Sequence, residues 1–225
     1  MKKLIIPTLR TFFLGSIMLG LLLFLPAWTL NYWQAWVFIS VFMVSTNAIG
    51  VYLSIKDPTL LERRKNAGVA AEQRMPQKIF VVVVIVANVA LLVCSALDHR
   101  FRWSQVPPYV SVVGNLLIVL AFIIFYFVFK ENSYGASNVQ TFDEQKVVST
   151  GPYAYVRHPM YVGALVMIIG VPLALGSLWG LAILFVTLAG LVWRILDEEK
   201  LLMKDLPGYT EYMQKVRYRL IPYLW

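Results

Sequence analysis

Residues 159–193 read PMYVGALVMIIGVPLALGSLWGLAILFVTLAGLVW, a run without a single Asp, Glu, Lys or Arg. A bilayer core roughly 30 Å thick takes about 20 apolar residues per helix, so this run is too long for one crossing. Pro172, Gly176, Ser177 and Gly180 interrupt it near the middle with turn-forming residues. It is predicted as two helices joined by a tight turn, each limb of about 17 residues spanning about 25 Å. Such a hairpin crosses and returns, so its two ends emerge at one membrane face. Arg157 and His158, just before it, are thereby brought near Glu198 and Glu199, just after it.

Outward from the hairpin, four further uncharged runs have the length of a crossing: Thr11 to Leu30, Trp33 to Ile55, Ile79 to Leu97 and Trp103 to Phe129. Together with 59% hydrophobic and only 14% charged residues, they exclude a water-soluble globule and define an all-α class, a polytopic transmembrane helical bundle of about six crossings. The first run follows Lys2 and Lys3 but is long for a secretion signal and lacks a small-x-small cleavage pattern, so it reads as a retained span. The single cysteine, Cys94, lies inside an apolar run and offers no internal disulfide. With His99 and His158 as the two histidines, no metal site of the usual zinc ligands is expected.

Six crossings place 18 of the 20 Lys and Arg residues on one face, leaving Arg100 and Arg102 opposite. Basic loops stay cytoplasmic, so both termini are expected there, as is the rim where the hairpin's two ends emerge. The formal charge of +8 then forms a juxtamembrane belt facing anionic lipid, and no soluble segment is long enough for a nucleic-acid-binding module. The chain divides into residues 1–129, a four-helix membrane region, and residues 130–225, which hold a polar loop, the hairpin and an amphipathic tail from Arg194 to Trp225. The loop from Lys56 to Lys78 reads as a solvated connection. Asn47, Asn88 and Asn115, at membrane depth, are expected to hydrogen-bond between helices.

Two segments carry the chemistry. The first is Gly151-Pro-Tyr-Ala-Tyr-Val-Arg-His-Pro-Met-Tyr161 with Gly163, and the second is Asp197-Glu-Glu-Lys-Leu-Leu202, followed by Tyr209 and Tyr212. The first alone also fits an ordinary membrane-entering turn with interfacial tyrosines, a snorkelling Arg157 and Pro159 at the first helical position. Taken together, the two segments resemble the isoprenylcysteine carboxyl methyltransferase family and the related phospholipid methyltransferases. That family pattern has a Gly-x-Tyr-x-x-x-Arg-His-Pro-x-Tyr-x-Gly segment, met by Gly151, Tyr153, Arg157, His158, Pro159, Tyr161 and Gly163. Its Glu-Glu-x-x-Leu segment falls on Glu198, Glu199 and Leu202. The tail departs where Gly208 after Pro207 replaces the usual Phe-Gly, and the resemblance covers roughly residues 130–225.

The resemblance implies methyl transfer from S-adenosylmethionine, with the cofactor held between hairpin and tail. The residue chemistry agrees: Arg157 can fork onto a carboxylate, His158 can donate beside it, and Tyr153 and Tyr161 can face an adenosine or a sulfonium. Glu198 and Glu199 can take an ammonium or hydroxyls, or pair with Lys200 or Arg194 instead. Arg157, Glu198 and Glu199 are thus the candidate catalytic residues. Gln140, Tyr153, Arg157, His158, Pro159, Tyr161, Gly163 and Glu198 are the candidate cofactor ligands, with Lys130, Glu131 and Asn132 as weaker candidates. Arg217-Tyr-Arg219 reads as a lipid-surface contact. The resemblance favours a lipid-linked carboxylate such as isoprenylcysteine as acceptor, the alternatives being a phospholipid amine or a non-catalytic protein that binds lipid or a partner. No pattern in the sequence assigns an oligomeric state.

Overall fold

The computed structural model describes the chain apart from residues 1, 66, 67, 73 and 136–144. Among these described residues eight α-helices follow in order: α1 (Lys2–Ala27), α2 (Trp33–Lys56), α3 (Pro58–Lys65), α4 (Met75–Phe101), α5 (Pro108–Glu131), α6 (Pro159–Ala174), α7 (Ile183–Asp205) and α8 (Tyr209–Lys215). No strand occurs among the described residues. Helices α4, α5 and α6 each carry Pro in the first turn, where its missing N–H leaves no hydrogen bond unmade.

Among the described residues four helices are long and apolar enough to cross a bilayer: Trp33–Lys56, Met75–Phe101, Pro108–Glu131 and Trp179–Asp205, the last including the short 3-10 turn before α7. Phe12–Ala27 and Pro159–Ala174 are shorter apolar helices. The exposure pattern is that of a protein solvated by lipid. Phe13, Leu21, Val86, Leu116 and Phe185 face outward. Asp98, Arg157, Arg194 and Glu199 are buried. These features define an integral membrane protein.

The most extensive packing joins α5 to α6, and small residues allow it. A Cβ on Gly114 would come within 2.1 Å of the Ala174 nitrogen, and one on Gly170 within 3.0 Å of the Gly114 oxygen. The two backbones therefore touch, as closely packed membrane helices do. Leu19, Leu23, Tyr32, Phe38, Ile118 and Leu175 form the main core between α1, α2, α5 and the end of α6.

The predicted hairpin turn falls at Gly176-Ser177. Gly176 adopts φ +71°, a left-handed conformation that glycine accepts without strain, and the Ser177 N–H closes onto the Pro172 carbonyl at 2.8 Å. Asp98 of α4 fixes this turn from outside. Its carboxylate accepts from the Ser177 hydroxyl at 2.5 Å and from both the backbone N–H and the hydroxyl of Ser104.

Three expectations are corrected. The connection from Lys56 to Lys78 is not simply solvated: it contains α3, and Glu72 and Gln77 are buried against α7. Asn47, Asn88 and Asn115 each donate to the carbonyl one turn earlier in their own helix, because that acceptor is always within reach of a short amide. The tail does not begin at Arg194. Helix α7 runs unbroken from the apolar limb to Asp205, and residues 216–225 then fold back on themselves.

Candidate active site

At the cytoplasm-expected rim the chain enters α6 through Val156, Arg157 and His158, all buried. Their backbone is tied to the tail. The Arg157 N–H donates to the Tyr218 carbonyl at 2.9 Å and the His158 N–H to the Arg219 carbonyl at 3.0 Å. The end of α7 supplies three successive carboxylates, Asp197, Glu198 and Glu199. Successive positions on a helix turn by about 100°, so the three point to three different sets of partners.

Asp197 faces the linker before α4, where Arg74 grips it with both terminal nitrogens and Gln77 donates to it as well. Glu198 accepts the Tyr161 hydroxyl proton at 2.5 Å, and Arg194 Nε donates to that same hydroxyl at 2.9 Å. Arg194 is anchored in turn by Glu72 at 3.2 Å and Gln77 at 2.8 Å. Glu199, only 2% exposed, accepts from Arg157 Nε at 2.8 Å and from Arg219 Nε at 2.9 Å, with His158 Nε2 3.2 Å away. Arg157 also donates through Nη1 to the carbonyls of Val216 and Arg217, both at 3.1 Å.

An open cleft lies between the start of α6, the end of α7, α8 and the segment after α5. Tyr153, Arg157, His158, Pro159, Tyr161 and Glu198 line it, as do Arg194, Tyr209 and Tyr212. Glu199 does not line it; it stands behind Arg157 and His158. Gly163 is also away from the cleft, where a Cβ would meet Phe125 of α5 at 2.6 Å. Gln140 lies outside the described residues. Of the weaker candidates, Asn132 lines the cleft and donates to the Tyr153 hydroxyl at 2.8 Å. Glu131 instead accepts from Thr150, and Lys130 is exposed.

The phenols around the cleft are hydrogen-bond donors at neutral pH. Burial is the main cause that pushes Tyr153 up to about 12, and it raises Tyr209 and Tyr212 as well, with the nearby glutamates adding to the rise at Tyr209. Tyr212 donates to the Tyr153 carbonyl at 2.7 Å. The Tyr209 hydroxyl is buried and has no hydrogen-bond partner among the described residues. A buried hydroxyl left unpaired costs about 1–3 kcal/mol, and Tyr209 is one of the residues that line the cleft.

Several residues of this site escaped the sequence reading. Tyr209 belonged to the tail pattern but stood there as a match without a role. Arg194 stood only as a pairing partner for a glutamate, and Glu72, Arg74 and Gln77 lay in a charged loop with no signal to separate them from solvated neighbours. Arg219 is corrected from a lipid contact to an ion-pair partner of Glu199.

The fold and site together define an all-helical integral membrane protein with a polar, tyrosine-lined cleft at one rim. Residues 109–207, from the start of α5 to just past α7, match the family model of the phospholipid methyltransferases, which belong to the group of integral membrane methyltransferases. No curated protein matches the chain.

Proposed function

We propose that the protein is a membrane lipid methyltransferase that uses S-adenosylmethionine and methylates the amine of a phospholipid headgroup. The observation that carries this reading is the cleft itself. It combines a carboxylate, Glu198, inside the region that matches the phospholipid methyltransferases, with a buried donor, Tyr209, just beyond that region, which has no hydrogen-bond partner among the described residues. That family match favours the amine over the isoprenylcysteine carboxylate.

The residues present suit such a cofactor. Among the described residues Tyr209 offers a donor with no competing partner and Arg157 keeps Nη2 without a partner, while Tyr153 and Tyr161 offer aromatic faces. Arg157 is held in place by Glu199, so Glu199 is a positioning residue and Glu198 is the group open to the reacting molecules. When bound, the cofactor supplies a methyl carbon already activated by a sulfonium. The protein's part is alignment, exclusion of water and the handling of one proton.

A phospholipid ammonium must lose a proton before its nitrogen can attack. Glu198 commits Oε2 to Tyr161 and leaves Oε1 without a partner among the described residues, so Oε1 can accept that proton. The Arg194–Tyr161 contact fixes the carboxylate while it does so. We further place six crossings in the bilayer, with α1 and α6 added to the four long spans. The cleft then opens on the cytoplasmic face that bears 18 of the 20 basic residues. Residues 130–225 form the catalytic region and α5 its packing support.

Calorimetric titration of S-adenosylhomocysteine into detergent-solubilised protein tests the cofactor site, and methyl transfer to phosphatidylethanolamine tests the acceptor. Binding with transfer to the amine supports the proposal. Binding with transfer to a farnesylcysteine carboxylate instead would redirect it to the carboxylate acceptor, and no binding would leave a non-catalytic lipid-binding protein.

A further inference from the structure

A second groove, which shares no lining residue with the cleft, is walled by Tyr155, Lys215, Arg217, Tyr218, Pro222 and Tyr223. Lys215 and Arg217 are exposed, and neither has an ion-pair or hydrogen-bond partner among the described residues. Tyr155 stands 72% exposed and Tyr223 91% exposed at the groove, with Ile221 and Leu224 exposed beside it. The two cations thus stand between outward-facing aromatic and aliphatic side chains.

Position says what covers them. Tyr155 precedes Pro159, the first residue of α6, by about one helical turn of sequence, so the groove lies where this helix leaves the apolar layer. Amphipathic aromatic rings and basic side chains collect at that headgroup level, where the surface potential of anionic lipids attracts them. The groove is also a built feature. Tyr218 and Arg219 carbonyls hold the N–H groups of Arg157 and His158, and the Trp225 carbonyl accepts from Arg219, Leu220 and Ile221. The rings of Tyr218 and Tyr223 lie 5.3 Å apart across it.

We propose that this groove binds the headgroup of an acidic phospholipid of the surrounding bilayer, with Lys215 and Arg217 on its phosphate and Tyr223, Ile221 and Leu224 set among the acyl chains. The inference does not depend on the methyl-transfer reading, because none of these side chains enters the cleft. Its occupant is a structural lipid and not the acceptor.

Native mass spectrometry of the full chain released from detergent, offered phosphatidylglycerol and phosphatidylcholine of equal chain length, tests it. The parent protein retains phosphatidylglycerol preferentially. A cation at an anionic surface contributes about fivefold, so Lys215→Gln with Arg217→Gln reduces that preference by about tenfold or more. Lys204→Gln, which removes an exposed charge at the end of α7, leaves it unchanged. Both variants fold as the parent does, since they remove exposed side chains without partners. Equal preference in parent and double variant, an equal loss in Lys204→Gln, or displacement of the bound lipid by soluble glycerol phosphate would each overturn the proposal.

Discussion

Arg157 and Glu199, 42 positions apart in the chain, form a buried ion pair of 2.8 Å in which both side chains are at most 5% exposed. The pair joins the start of α6 to the end of α7 and, through Arg157 Nη1, to the tail at Val216 and Arg217. It fixes the back wall of the cleft. Removing one partner of such a pair leaves a buried charge without compensation, which commonly costs about 3–5 kcal/mol.

Arg157→Lys is therefore expected to lower both thermal stability and affinity for S-adenosylhomocysteine. An ammonium keeps the charge but cannot serve Glu199 and two carbonyls in the guanidinium's fixed geometry. Thermal unfolding in detergent, read beside ligand titration, checks this. Parent-like values in both would remove Arg157 from the framework and from the site.

Tyr209→Phe separates a ligand donor from a structural one. The hydroxyl has no partner among the described residues, so its loss is expected to leave the melting temperature unchanged or raise it. Affinity for S-adenosylhomocysteine is expected to fall about tenfold, the worth of one hydrogen bond of about 1.4 kcal/mol. A variant that melts early and binds normally would contradict the assignment.

The linker before α4 is expected to matter for the cleft although it lies outside the family-related segment. Glu72→Gln weakens the anchor of Arg194, which in turn holds the Tyr161 hydroxyl against Glu198. The expected result is a drop in turnover of about tenfold with the substrate KM little changed, since positioning is lost and contact with the lipid is not. Steady-state kinetics on phosphatidylethanolamine in mixed micelles measures both quantities. An unchanged turnover would show that Arg194 is held well enough without the Glu72 carboxylate.

The sequence disclosed some of this arrangement and hid the rest for physical reasons. The hairpin was legible because Pro172, Gly176 and Ser177 are turn residues in an otherwise uninterrupted apolar run, and the structure turns there. The meeting of Arg157 with the glutamates followed from a hairpin's geometry alone. Which glutamate faces which partner did not follow, because one residue along a helix is a 100° rotation and the partners come from α4, α6 and the tail. The burial of Glu72 and Gln77 was equally hidden. A charged loop reads as solvated until Arg194 and Asp197, more than a hundred positions away, are seen to receive it.

Glu198, and not Glu199, is expected to accept the proton of an amine during methyl transfer from S-adenosylmethionine. The direct measurement is single-turnover transfer of a labelled methyl group to phosphatidylethanolamine at saturating cofactor, comparing the parent with Glu198→Gln. The amide keeps the shape and the contact with Tyr161 but cannot take a proton, so the rate is expected to fall by about 10²–10⁴ while cofactor affinity changes only a few-fold. A Glu198→Gln protein that methylates the amine at the parental rate would contradict the account.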